Sequence, residues 1–166
     1  MSALLAPTRP EEAENITTGR LARILDLLRT MYDVVVIDTA ATFDEVVLTA
    51  LDRSESVFGV TMMDVASIKN TRISLQKLSQ LGYDSELVKL VLNRADSKVW
   101  LQPGEVEKAI GAEVFAKIPS DRVVPRSVNK GTPVVLDEPR SDVSKAMVDI
   151  ARGIAKSAEE AVSHVA

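Results

Sequence analysis

The chain has 166 residues, a formal net charge of −4, one tryptophan and no cysteine. That length suits one α/β domain over 1–166, able to bury about 70% of its unfolded surface. The missing thiols exclude disulfides, thiolate–zinc sites and cysteine nucleophiles, and the acidic balance argues against broad nucleic-acid binding.

From the start, Leu4-Leu5-Ala6 is a short candidate strand ended by Pro7, and Thr8 to Glu14 reads as a polar loop. Thr17 or Thr18 can cap a helix carrying Leu21, Ile24, Leu25, Leu28 and Met31 at helical spacing. The run Tyr32-Asp33-Val34-Val35-Val36-Ile37-Asp38 then reads as the central strand of a parallel sheet, because β-branched residues in unbroken sequence suit burial on both faces. Asp44 opens a short helix through Val47, Leu48 and Leu51, ending near Arg53.

Val57 to Thr61 is the next strand, and Asp64 caps a helix that stops at Gly82. Leu87 to Leu92 is a further strand arriving at Asn93-Arg94, and Pro103 to Gly111 brackets another helix. Val114 to Ile118 is the last strand and ends in Pro119-Ser120-Asp121. Asp121 caps a brief helix that tolerates Pro125 in its first turn and ends at Gly131. Ser141 or Asp142 caps the final helix, with Val143, Met147, Ile150, Ile154 and Ala158 as its apolar stripe. Strand and helix alternate, so the fold class is α/β, with a mostly parallel sheet flanked by helices in three layers.

In such sheets ligands bind at the carboxyl ends of the strands. Asp38 sits at one such end, where a carboxylate suits Mg²⁺ beside a nucleotide phosphate; the plain alternative is a turn aspartate accepting backbone N–H bonds. Asn93 and Arg94 reach the same edge, and an asparagine amide matches the donor and acceptor of adenine. Pro119, Ser120 and Asp121 border it from the next strand, or simply cap a helix. No G-x-x-x-x-G-K-[ST] loop occurs in the 166 residues, so one half of a phosphate-transfer site stands without the other.

Other candidates are weaker. His164 is the sole histidine, near a terminus, and reads as solvated. Asn129-Lys130-Gly131 has Thr132 where a guanine-reading motif needs an acid. The last helix mixes Lys145, Arg152 and Lys156 with Asp142, Asp149, Glu159 and Glu160, so it lacks the cationic face of a membrane-surface helix. No signal peptide and no apolar run of about 20 residues is present. A soluble, cytoplasmic chain is expected.

Taken in order, Leu4-Leu5-Ala6-Pro7, Arg9-Pro10-Glu11-Glu12-Ala13-Glu14, Tyr32 to Thr39, Val91-Leu92-Asn93-Arg94, Ile118-Pro119-Ser120-Asp121 and Ser127-Val128-Asn129-Lys130-Gly131-Thr132-Pro133 resemble the later part of the MinD/ParA-type P-loop ATPases. The resemblance runs from about Leu4 to Ile154 and is closest to the CpaE/TadZ branch tied to pilus assembly. It implies a P-loop NTPase-like fold, here incomplete at its N-terminal side. Asp38 looks like the Walker B acid, acting on Mg²⁺ through its water shell. Asn93 resembles the adenine-reading residue, with Arg94, Pro119, Ser120 and Asp121 on the adenine side. ATP and Mg²⁺ are implied for the parent protein and neither for this chain alone. The implied partners are a second copy, paired around ATP, and pilus or secretion assembly proteins at the cell pole or inner membrane.

The chain departs from the family at Ala40-Ala41, where two prolines are common, and in lacking the Walker A loop; a C-terminal portion, or a separately encoded remnant, of a longer protein is the expected explanation. Two other readings stand beside this one. One is a non-catalytic scaffold that keeps only a partner surface. The other is a phosphoacceptor receiver using Asp38, Thr61 and Lys117, against which Leu5-Ala6-Pro7 stands where paired acids are needed.

Overall fold

The computed structural model describes residues 2–7, 9, 11, 16–96 and 103–163. Thr8, Pro10 and 12–14 of the expected loop, and His164, lie outside the described residues. The chain divides into two compact units, Met1–Glu55 and Ser56–Ala166.

The described residues of the first unit include the helices α1 (Thr18–Met31) and α2 (Glu45–Leu51), packed on each other. Thr17 caps α1, its hydroxyl accepting the Arg20 N–H, and Leu25 is the residue it buries. Leu21 and Leu28 flank Leu25 half-buried, whereas Ile24 and Met31 of the expected stripe are exposed. Asp44 caps α2 by accepting the Val47 N–H at 2.9 Å, and Ala50 turns inward. Two exposed ion pairs, Arg53–Asp26 and Arg29–Glu55 at 3.3 and 3.4 Å, link the ends of this pair. At such exposure each contributes at most about 1 kcal/mol.

Two expected strands are absent among the described residues. Leu4 to Ala6 has no ladder partner, and Leu4 and Leu5 are exposed. The run Val34 to Asp38 is likewise unpaired, with Val36 83% exposed and only Val35 and Ile37 half-buried. The sequence pattern is that of a central strand, but a strand exists only where a neighbour supplies the other half of each hydrogen bond.

The second unit is a three-stranded parallel sheet ordered β1 (Val57–Met62), β2 (Val88–Asn93), β3 (Val114–Ile118). Helix α3 (Val65–Gln80) joins β1 to β2, and α4 (Pro103–Ile110) lies between β2 and β3. Asp64 caps α3 through the Ser67 N–H at 2.8 Å and the Ser67 hydroxyl at 2.6 Å. The exits of α3 and α4 fall at Gly82 and Gly111, whose φ of 89° and 82° is the left-handed conformation that a side chain disfavours.

β2 is the middle strand, and Leu90, Val91 and Leu92 are all buried. Leu90 and Leu92 pack with Met63, Ile68, Val106 and Ile110, and with the half-buried Leu75, Ala112 and Val114. This core fills one face of the sheet against α3 and α4. After β3 come α5 (Val123–Asn129), the single-turn α6 (Val134–Asp137) and the long α7 (Asp142–Ser163). α7 lies against β3, burying Val143 and half-burying Met147, Ile150 and Ile154. Helices thus flank a parallel sheet, as expected. Ser141, rather than Asp142, makes the capping bond, its hydroxyl accepting the Ser144 N–H at 3.2 Å.

A polar cluster fixes the segment after β3. The buried Ser127 hydroxyl donates to Asp137 at 2.7 Å, and Lys130 Nζ reaches both Asp137 oxygens at 2.8 Å. The Lys130 hydrogen bond, then that of Ser127, holds the Asp137 carboxyl below its ordinary value. A carboxylate depressed in the folded state stabilises fully above its unfolded value of about 3.9, and that contribution is lost as pH falls through the lower folded value. Asp137→Asn is therefore expected to lower the neutral-pH melting temperature and to flatten the acid limb of the stability curve. Thermal melts from about pH 2 to pH 7 measure both; a variant that keeps the wild-type acid limb would show the cluster to be inert.

Candidate functional site

Three parallel strands carry their ends to one edge of the second unit: Met63-Asp64 after β1, Asn93-Arg94 after β2, and Pro119-Ser120-Asp121 after β3. The register sets Asn93 beside Met62 on one side and Ile118 on the other, so the expected base-side groups occupy adjacent strand ends. The half-buried Asn93 side chain accepts the Arg94 N–H through Oδ1 at 3.0 Å. Its Oδ1 is thereby engaged, with a second lone pair left over, and among the described residues Nδ2 has no hydrogen-bond acceptor. Arg94 has φ 53°, uncommon for a residue with a side chain, and this turns the chain sharply off the end of β2.

Two bonds stitch that turn to the next strand end. The Ala95 N–H donates to the Ile118 carbonyl at 3.0 Å, and the Asp96 carboxylate accepts the Ser120 N–H. Asp96 is a residue that the sequence motifs do not single out. Its position three residues after Asn93 is a usable signal, but its partner lies 24 residues on, and spacing does not reveal that. Asp121 accepts the Val123 N–H at 3.0 Å, so it serves the first turn of α5 from one residue ahead of the capping position, which Arg122 occupies.

The candidate acids differ in what holds them. Asp64 is consumed by its own helix, and the Ser67 hydroxyl and then its N–H keep the Asp64 carboxyl below the ordinary range. Asp38, in the first unit, is exposed, and among the described residues no hydrogen bond or ion pair engages it. A carboxylate without such commitments is open to a hydrated cation. Thr61 is buried, its hydroxyl bonded to that of Thr71 at 2.8 Å, which removes it from the role a receiver needs. Lys117 is exposed on β3. Lys130 is held by Asp137, in keeping with the rejection of a guanine-reading motif.

A shallow cavity of about 370 Å³ opens at the opposite, amino edge, between Leu75 and Tyr83 on one side and Gly111 and Ala112 on the other. It is remote from the strand ends just described. No group of three or more metal-ligating side chains occurs among the described residues, and none of their helices is long and apolar enough to cross a membrane.

Comparison with known proteins bears on the fold. No family model matches the chain. It is 28% identical over 140 residues to a septum site-determining protein MinD of Oltmannsiellopsis viridis, covering 81% of this chain and 44% of that protein. Its fold superposes on the crystal structure of a ParA family ATPase from Chlorobium tepidum with a TM-score of 0.83 at 26% identity, covering 88% of this chain and 61% of the other. In sequence and in fold the chain is similar to MinD/ParA-type P-loop ATPases.

A third match supports the same fold: MinD from Pyrococcus horikoshii, solved with Mg-ADP, aligns at a TM-score of 0.74 and 21% identity over 89% of this chain and 60% of its own. The chain spans about half the length of the curated MinD/ParA-type relatives it matches, from 44% to 57%.

Proposed function

We propose that this chain carries, in its second unit, the base-recognition residues of a MinD/ParA-type ATPase and, in its first unit, the acid that acts on Mg²⁺ through water. The observation that carries the reading is the stitched pair of strand ends, Asn93-Arg94 against Pro119-Ser120-Asp121, on the carboxyl edge of a parallel sheet. Asn93 offers its amide to the exocyclic amine and ring nitrogens of adenine, and the neighbouring backbone borders the base. Asp38 holds Mg²⁺ through its water shell. Mg²⁺ keeps most of its waters and needs only one or two protein carboxylates beside the phosphates, so a single uncommitted acid fits it. When bound, the ion neutralises the phosphate charge during γ-phosphoryl transfer.

The sequence strings further favour the CpaE/TadZ branch. A role in polar placement and assembly of a pilus or secretion machine follows from that branch, with a second copy of the parent as the ATP-dependent partner.

The phosphate grip is the weak half. Charge-assisted hydrogen bonds contribute about 1.5–3 kcal/mol each, and a micromolar complex needs roughly 8 kcal/mol. Without a G-x-x-x-x-G-K-[ST] cradle, three or four such bonds are lost, so these 166 residues bind Mg-ATP at millimolar strength or weaker and do not hydrolyse it. Isothermal titration tests this, and micromolar Mg-ATP affinity would overturn the divided-site reading. The non-catalytic scaffold is separated by saturation-transfer NMR. The base-site reading expects millimolar adenosine and ATP to compete while guanosine does not; a scaffold gives no transfer from any of the three.

A further inference from the structure

We infer that Asp96 is a positioning residue for the base, an inference that rests on the base-site reading above. Asn93 alone cannot define a recognition edge. It terminates β2, and its carboxamide is fixed on one side only, by the Arg94 N–H. The residues that border it from β3 follow Pro119, which has no N–H of its own to tie down. What joins the two strand ends beyond the sheet is a two-bond suture: Ala95 N–H to the Ile118 carbonyl, and the Asp96 carboxylate to the Ser120 N–H.

The first bond is backbone to backbone and tolerates almost any residue at position 95. The second depends on the identity of one side chain. Asp96 is exposed, and its burial contributes nothing to the core. It reaches past Arg94, whose left-handed turn sends the chain back toward β3. Its carboxylate therefore sets the distance between the Asn93 amide and the Ser120 backbone, which is the width a flat base must fit. Asp64, at the same rim, is bonded among the described residues to its own helix alone and sets no such distance.

The test is an NMR titration of the full chain with adenosine, which reports on the base without the phosphates. The reporters are the Asn93 side-chain amide and the Ser120 N–H. Wild type is expected to shift both resonances at millimolar adenosine. Asp96→Ala is expected to weaken binding about five-fold, the loss of one hydrogen bond. Asp96→Asn keeps an acceptor oxygen and is expected to stay within about two-fold of wild type. Asp64→Ala, a helix-cap loss at the same rim, should also stay within about two-fold.

Equal adenosine affinity in wild type and Asp96→Ala would overturn the positioning role while leaving the base site intact. An equal loss in Asp64→Ala would also overturn it, by showing general loosening of the edge. If wild type shows no shift at either reporter, the base-site reading itself fails and the inference falls with it.

Discussion

Leu92→Ala is expected to destabilise the second unit by about 2–5 kcal/mol, whereas Val36→Ala should change stability by no more than about 0.5 kcal/mol. Leu92 is 0% exposed, in the middle strand, with β1 and β3 hydrogen-bonded on either side. Met63, Ile68, Val106 and Ile110 close around it. A strand pinned on both edges cannot move to refill the vacated volume, so the cavity cost adds to the lost transfer energy. Domains of this size are stable by only about 5–15 kcal/mol, so the loss is a large fraction of the total. In urea, with a slope of about 1–3 kcal/mol per molar, the midpoint should fall by at least roughly 0.7 M. Val36 is the opposite case: an unbroken β-branched run marks it as core, yet it is almost wholly exposed. Equal losses from the two substitutions would mean that the Val34–Ile37 run is buried in solution.

The second large effect concerns the free edge of β1. Val57–Met62 pairs with β2 on one side and, among the described residues, with nothing on the other. Solvent-facing edges usually carry a charge, a proline or a bulge that blocks further pairing. Val57-Phe58-Gly59-Val60-Thr61-Met62 carries no charge and no proline, and the sheet's one irregularity lies between β2 and β3. Val60 is 64% exposed and Met62 shares its face. The isolated chain is therefore expected to self-associate as its concentration rises. Val60→Lys should return it to a monomer, because a lysine on an edge strand must bury its charge for another strand to pair. Light scattering coupled to size exclusion reads the mass directly. A wild-type chain that stays monomeric at high concentration would show the edge to be covered in solution.

These two cases also mark how far the sequence could be read. Caps were legible because they are local. Thr17, Asp44 and Asp64 each bond a backbone N–H three residues on, within reach of any pattern rule. The glycine stops at Gly82 and Gly111 were legible for the same reason. The strands at 57–62, 88–93 and 114–118 emerged because each apolar run is set between a helix stop and a helix cap. Of the site, Asn93, Arg94, Pro119, Ser120 and Asp121 could be placed at strand ends by counting, and the register sets them side by side. Asp96 could not, because its bond crosses from one loop to another.

By itself, then, the sequence determined the alternation of strand and helix from Val57 onward, most helix caps and stops there, and which residues leave each of those strands. Those properties depend on side-chain periodicity and on bonds spanning three or four residues. Only the tertiary structure decided that, among the described residues, Val34 to Asp38 stands without a ladder, β1 is an edge, and Asp96 couples two strand ends while Asp64 serves its own helix. Each of these turns on whether a distant segment arrives to complete a hydrogen bond or cover an apolar face, and a run of residues carries no record of its neighbours in space.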